Sequence, residues 1–331
     1  MSPFRLSAAA ALGLALWAAP AVAAPPATVA TILPVHSIVS AVMAGVGEPH
    51  LLIDGAGSPH AYSLKPSDAR ALEQAGLVVW VGEGLETFLE RPLATLSAKA
   101  TVLTLEEIEG IELLPIREGG AWEGHAHDHA GHDHKDDGHK GHDHKHDHKH
   151  DGHKGHDHGE GAIDTHLWLD PMNGKRIAAE VAETLSQLDP ANADAYRRNA
   201  ETYAARLDAL DAEIEEMLHP VEDRPYVVFH DAYQYFEAHY GLNARGAVTL
   251  SPDRAPGAER LREVRHAIED SGAACIFAEP QFSPRVLDVV TEGLDVKTGV
   301  LDPLGAELAP GPDAYPQMLR NLAVALKDCL G

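Results

Sequence analysis

The sequence predicts an α/β protein with two lobes, each a four-stranded, mainly parallel sheet flanked by helices, joined by one long rigid helix. Three observations support this. Short apolar runs alternate with stretches of helical spacing in the first part of the chain, and the alternation returns after residue 225. Between them, residues 191–218 contain no Gly or Pro. A strand-helix-strand rhythm favours a parallel sheet, because parallel strands need a long crossover connection.

Each predicted element follows from its local pattern. In the first lobe, apolar runs predict strands at 28–33, 50–53, 77–81 and 101–105, and helical spacing predicts helices at 35–46, at 66–75 and from Leu85. In the second lobe, strands are predicted at 226–229, 242–248, 274–278 and 296–300. A helix is predicted after the first of these strands, ending at Phe236. Further helices are predicted at 257–270, 284–292 and 313–327.

The linking helix is the longest predicted element. Pro190 lies near its start, where a missing N–H costs least. Leu207, Leu210 and Ile214 keep helical spacing. At 1.5 Å per residue the helix would extend roughly 42 Å, long enough to run along both lobes.

The N-terminus resembles a signal peptide. Arg5 precedes a short apolar run at 8–19, and small residues at 21–23 fit a cleavage site. The run is too short to span a bilayer comfortably, although a membrane anchor remains the alternative. We therefore expect export to the periplasm, with an extracellular location as the other option. The predicted boundaries are a signal peptide at 1–23, a first lobe at 24–188, a linking helix at 189–218 and a second lobe at 219–331.

The charge balance limits the partners. The chain has 26 Lys and Arg residues against 51 Asp and Glu residues, a formal net charge of -25. Nucleic acid is excluded as an expected partner, because its phosphates bind basic surfaces. An acidic surface fits cations, and solubility alone explains most of the carboxylates.

Residues 119–161 form a polar insertion that we expect to be disordered. The segment is almost entirely Gly, His, Asp and Lys, and therefore cannot bury a core. Clustered imidazoles and carboxylates predict weak metal binding, so that the segment would collect zinc or sense its excess; a solvated linker and a metal buffer are the alternatives. The histidines concerned are His125, His127, His129, His132, His134, His139, His142, His144, His146, His148, His150, His153, His156 and His158.

Four groups elsewhere are candidate metal ligands. His60 and His230 follow predicted strands, His166 follows the insertion, and Asp302 follows the last strand. Ligands of open α/β sheets bind beyond the carboxyl ends of strands. Imidazole and carboxylate are zinc ligands, usually four in a tetrahedron.

The remaining histidines have other expected roles. His219 ends the linking helix and is expected to interact with its last carbonyls. His239 and His266 lie on polar helical stretches and are expected to be solvated. His36 could line the cleft, and His50 has no evident partner.

Cys275 and Cys329 are the two cysteines. An even pair in an exported protein favours a disulfide, with two buried thiols as the alternative.

The motifs at 58–68, 164–171, 229–233 and 301–305 resemble those of ZnuA-type zinc-binding proteins, the solute receptors of bacterial zinc ABC importers. The resemblance covers nearly all of the mature chain and includes the His-rich insertion. It implies two lobes with metal in the cleft between them, bound by His60, His166 and His230. Some members have a glutamate before the first histidine. Pro59 stands there in this chain, so water or Asp302 must complete the shell.

The resemblance also implies a partner and a metal. We expect a monomer that delivers Zn²⁺ to the membrane permease of an ABC importer, and some zinc-branch members have a disulfide that matches the cysteine pair. Manganese and iron relatives typically have an acid at the position of His230, whereas three imidazoles suit Zn²⁺. A manganese or iron receptor and a zinc-dependent hydrolase remain alternatives. We expect no enzyme, because no His-Glu-x-x-His or similar signature is present.

Overall fold

Two four-stranded parallel sheets, one in each half of the chain, form the framework of the protein. The structure is a computed structural model that describes residues 24–55, 57–117, 162–249, 256–283 and 285–331. The predicted signal peptide and the His-rich insertion lie outside these ranges. No helix within them is long and apolar enough to cross a membrane.

The first sheet has the strand order β2-β1-β3-β4, and all of its strand pairs are parallel. Every residue of β3 is buried, because helices cover both faces of such a sheet. The strands are β1 Thr28–Ala30, β2 His50–Leu51, β3 Leu77–Trp80 and β4 Thr101–Thr104, and the helices are α1 Leu33–Val42, α2 Pro66–Gln74 and α3 Glu90–Leu96.

The helix predicted from Leu85 begins five residues later. The buried carboxylate of Glu86 accepts hydrogen bonds from the backbone N–H groups of Val81 and Gly82, at 2.9 and 3.2 Å. These bonds hold a tight turn after β3. A 3₁₀ turn at Thr87–Leu89 then leads into α3.

Two helices follow the first sheet along the chain and precede the second. Helix α4 spans Pro171–Leu188, and α5 spans Ala193–Leu218 after a 3₁₀ turn at Pro190–Asn192. Helix α5 is the predicted linking helix. Helix α4 was not predicted from the sequence, although Asp170 caps its first turn by accepting the N–H of Met172.

The second sheet repeats the arrangement with the order β6-β5-β7-β8, again entirely parallel. The predicted disulfide between Cys275 and Cys329 is confirmed, and it joins the start of β7 to the end of the last helix. The strands are β5 Tyr226–His230, β6 Ala244–Thr249, β7 Cys275–Ala278 and β8 Lys297–Val300, and the helices are α6 Gln234–Tyr240, α7 Ala258–Ser271, α8 Arg285–Thr291 and α9 Ala314–Leu330.

Helix α9 returns to the first half of the chain and packs against α1 and α5. The backbone N–H of Tyr315 donates to Ser37 Oγ of α1 at 2.9 Å, and its buried hydroxyl donates to the carbonyl of Trp168 at 2.7 Å. One continuous hydrophobic core therefore includes residues of both halves. Such a shared core opposes independent motion of the two sheets.

Candidate metal centre

Three histidines from separate segments meet at the carboxyl ends of the strands. His60 lies in the 3₁₀ turn Pro59–Ala61 after β2, His166 directly precedes the turn Leu167–Leu169, and His230 is the last residue of β5. Each offers one ring nitrogen, and the three nitrogens lie within 4.8 Å of one another. Carboxyl ends of parallel strands are where side chains of open sheets converge on ligands.

The three rings surround a cavity of about 20 Å³, roughly the space of one small ligand. In a tetrahedral zinc site, nitrogens at 2.0–2.1 Å from the ion lie roughly 3.3 Å apart. The ligand nitrogens here need to approach one another by no more than roughly 1.5 Å. The residues that line the cavity are Ser58, Pro59, His60, His166, Trp168, His230, Glu279, Gln281, Phe282, Pro303 and Leu304.

A carboxylate orients His166. Its Nδ1 lies 2.7 Å from Asp164 Oδ1, and the same oxygen accepts the backbone N–H of His166 at 3.0 Å. A proton on Nδ1 leaves Nε2 as the metal-binding atom. Burial raises the pKa of Asp164 to about 6, although the bond from the His166 backbone lowers it.

A second carboxylate faces His230. Its Nδ1 lies 3.4 Å from Glu279 Oε2, and both side chains are almost fully buried. Burial lowers the pKa of His230, but the charge and hydrogen bond of Glu279, together with the charges of Asp231 and Asp164, outweigh it, so the pKa is raised. Sequence reasoning missed Glu279, because it follows β7 whereas His230 ends β5, and no local pattern connects the two.

The surroundings of His60 and His166 favour the neutral form of both rings. Burial and the charges of the neighbouring histidines lower the pKa of His60 well below its usual value. Burial and the charge of His230 do the same for the pKa of His166. A neutral imidazole has a free lone pair, so these two rings can bind a metal ion without first losing a proton.

Asp302 is not part of the histidine cluster. Its Oδ1 accepts the N–H groups of Leu304 and Gly305 at 3.1 and 3.0 Å, and its Oδ2 accepts that of Ala306 at 2.6 Å. Oδ1 also accepts the side-chain amide of Gln281 at 2.8 Å. The carboxylate therefore holds the loop after β8.

The other histidines differ partly from expectation. His36 bonds to the carbonyl of Pro49 at 3.1 Å and does not line the metal cavity. The ring of His219 approaches the Glu222 carboxylate at 3.1 Å, whereas the backbone N–H of the same residue donates to the Glu215 carbonyl of the helix. His266 is exposed, as expected, whereas the expectation of a solvated His239 was wrong.

His239 lies between two acidic side chains. Its Nδ1 is 3.2 Å from Asp170 and its Nε2 is 2.8 Å from Asp211. Bonds to Asp170 in particular raise its pKa to about 9. Its sequence neighbours are polar, and only the fold places the two carboxylates around it.

Arg117 connects the two halves beside the cluster. It forms ion pairs with Asp231 and Glu237, which are almost fully buried. Asp231 directly follows His230, and Arg117 is the last described residue before position 162. The ion pairs thus fix one flank of the His-rich insertion next to a candidate ligand, a contact that sequence reasoning missed.

Comparisons with known proteins identify the family of the chain. A zinc uptake protein, ZnuA, of Brucella abortus strain 2308 is 52% identical over 305 residues, which cover 91% of each chain. One of Paracoccus denitrificans is 42% identical and covers 99% of this chain and 98% of the relative. A crystal structure of a ZnuA superposes with a TM-score of 0.71 at 22% identity, over 92% of this chain and 100% of that one. The family model "ZnuA: Zinc-uptake complex component A periplasmic" matches residues 28–329, and the chain belongs to this family.

Proposed function

We propose that this protein captures Zn²⁺ in the periplasm with His60, His166 and His230 and delivers it to the permease of an ABC importer. The observation that carries the proposal is the convergence of three ring nitrogens within 4.8 Å at the carboxyl ends of the strands. Both sequence relatives described above are named as high-affinity zinc uptake system proteins.

The donor set supports zinc as the cargo. Imidazole suits borderline ions such as Zn²⁺, whereas Mn²⁺ prefers oxygen ligands. Asp164 orients the ring of His166, and Glu279 orients the ring of His230. A carboxylate in this position makes the imidazole more basic and holds it in place. Cu²⁺ and Ni²⁺ also bind imidazole well, so metal supply in the periplasm contributes to selectivity.

A transport receptor fits the site better than a hydrolase. The family of this chain is one of uptake proteins and not a family of enzymes. The acidic groups beside the cluster contact the histidines themselves, so they serve to orient ligands. The shared core and α5 keep the site preformed.

Burial of the ligands bears on delivery. His166 is 5% exposed and His230 is 4% exposed, so a bound ion is shielded from water and competing ligands. Release of the ion then requires the His60 segment or the second sheet to move. The receptor would bind the permease as a monomer, and the free energy of that binding would drive the movement.

The His-rich insertion would collect zinc for the cleft. The described residues at its two flanks pair with each other: Ile116 N–H donates to the carbonyl of Ala162 at 3.1 Å, and Asp164 N–H donates to that of Leu114 at 2.9 Å. Its second flank is therefore only a few residues from His166. Ions tethered there would have a high effective concentration near the cleft.

A metal competition experiment tests the proposal. Metal-free protein is titrated with Zn²⁺ and Mn²⁺ against a competing chelator, and the loaded protein is then mixed with the permease in proteoliposomes. We expect one tight zinc site, weaker manganese binding and zinc uptake driven by ATP. Preference for Mn²⁺, or uptake that does not depend on the receptor, would contradict the proposal.

A further inference from the structure

One side chain of the second half holds both flanks of the His-rich insertion. The flanks pair with each other in an antiparallel bridge between Pro115 and Ile163. The N–H of Leu114 donates to the Tyr235 hydroxyl at 3.0 Å, and that hydroxyl donates to the carbonyl of Asp164 at 2.8 Å. Tyr235 is buried and belongs to α6. Its single hydroxyl therefore fastens the two flanks, which belong to the first half of the chain, to the second half.

Arg117 makes the reciprocal connection, from the first flank to the second half. Its Nε donates to one carboxylate oxygen of Asp231 at 3.3 Å, and a terminal nitrogen donates to the other oxygen. The second terminal nitrogen donates to Glu237 Oε2 at 2.5 Å, while Glu237 Oε1 accepts the hydroxyl of Tyr226 at 3.2 Å. A contact in which a guanidinium meets both oxygens of a carboxylate fixes the orientation as well as the distance of the two groups.

The charges of this group favour one arrangement of the two halves. The side chain of Arg117 is 18% exposed, and those of Asp231 and Glu237 are 7% and 5% exposed. Breaking a buried ion pair leaves an uncompensated charge out of water, which is strongly unfavourable. One guanidinium can serve both carboxylates only while residue 117 lies against α6 and the turn before it. The ion pairs therefore oppose any movement of the first flank away from the second half.

Both connections end beside a candidate ligand. Asp164, whose carbonyl Tyr235 holds, lies two residues before His166 and contacts its ring with the side chain. Asp231, which Arg117 holds, directly follows His230. The rings of His166 and His230 come from different halves of the chain, and their centroids lie 4.8 Å apart. Ligands from two halves keep such a separation in the metal-free protein only if the surrounding structure holds both segments in place.

We propose that Arg117 and Tyr235 form a clasp that sets the separation of His166 and His230 before the ion arrives, and that both are positioning residues of the zinc site. The inference rests on the proposed function, because it assumes zinc at the three histidines. Neither side chain is among the described residues that line the metal cavity, so the clasp acts through position alone. A site whose ligands are already in place binds more tightly, because binding does not have to supply the free energy of ordering them.

Two variants of the full chain remove the clasp and keep every ligand. We expect Arg117→Met to weaken zinc affinity roughly 10–100-fold, as is usual for residues that orient ligands. Tyr235→Phe loses only a hydroxyl and should weaken it roughly 2–10-fold. Arg117→Lys should restore part of the affinity, because lysine supplies the charge but not the planar contact with both oxygens. Chelator competition measures the affinity, stopped-flow release measures zinc dissociation, which should be faster, and the visible absorption bands of the Co²⁺-loaded protein should shift.

Matched controls separate positioning from general stability. Exposed Arg198→Met, and Tyr240→Phe, which removes a hydroxyl bond from the same helix α6 to Asp211, should keep the parent affinity, dissociation rate and spectra. Melting curves of the metal-free proteins identify a variant that does not fold, and Tyr235→Phe, which keeps its ring, decides the question if Arg117→Met is such a variant. Parent-like values of all three readouts in the folded clasp variants would overturn the clasp and leave zinc capture standing. A parent protein without a tight zinc site would instead refute the proposed function.

Discussion

Nδ1 of His239 lies 3.2 Å from Asp170 Oδ1, which joins α6 of the second half to the start of α4. Nε2 of the same ring lies 2.8 Å from Asp211 on α5. A protonated ring can donate to both carboxylates at once. The two contacts of His239 therefore connect α6 with α4 and α5. Residues of these helices also belong to the shared hydrophobic core.

His239→Gln should make stability depend on pH in a defined way. The folded pKa of about 9 is raised above the unfolded value of 6.5, so the stabilisation is fully present below pH 6.5 and is lost as pH rises through 9. Allowing for partial exposure, we expect the variant to lose on the order of 1–3 kcal/mol of unfolding free energy at pH 6. Urea unfolding at pH 6 and 9.5 measures this. An equal loss at both pH values would contradict the ion-pair explanation.

Replacing His60, His166 or His230 with Ala should weaken zinc binding by orders of magnitude, because each change removes one ligand from the ion. Chelator competition measures the affinity of each variant. His266→Ala, at an exposed position, is the control and should bind like the parent. Full affinity after any of the three changes would remove that residue from the site.

Asp164→Asn should weaken zinc binding roughly 10–100-fold while all three histidines remain. The amide no longer provides a charged acceptor for the 2.7 Å contact with His166 Nδ1, so the ring is oriented less firmly and is less basic. Calorimetry with zinc measures the change, and exposed Asp194→Asn is the matched control. Parent-like affinity in Asp164→Asn would argue that packing alone orients His166.

Reduction of the disulfide between Cys275 and Cys329 should destabilise the second half. The bond closes a loop with a sequence separation of 54, which in the chain-entropy model contributes about 4 kcal/mol. Thermal unfolding with and without reductant measures the loss, and thiol labelling of the unfolded, unreduced protein should find no free cysteine. A Cys275→Ser, Cys329→Ser double variant as stable as the oxidised parent would contradict this expectation.

Deletion of residues 122–160 should leave one tight zinc site and abolish weaker binding. The weaker binding should also fade below about pH 6, because histidines with ordinary pKa values near 6.5 must lose protons to bind. Calorimetry compares the deletion with the parent at pH 7.5 and 5.5. Equal zinc stoichiometry in the two proteins would rule out a binding role for the insertion.

The sequence by itself determined the α/β class, the three candidate histidines and the disulfide. These depend on signals that are readable along the chain: the alternation of apolar runs with helical spacing, the motifs around His60, His166 and His230, and the even cysteine count. Parallel strands align their carboxyl ends, so residues after different strands could be expected to meet before any distance was known.

Only the tertiary structure decided the surroundings of those residues. Glu279 lies 3.4 Å from His230, yet it comes from the segment after β7, and no local period indicates such a contact. Asp302 follows its strand as expected, but backbone N–H groups and Gln281 occupy its carboxylate. The sequence neighbours of His239 are polar, yet in the folded chain its ring contacts the carboxylate of Asp211. The physical reason is that periodicity reports which face of an element is buried, whereas the identity of a contact across elements depends on how the whole core packs.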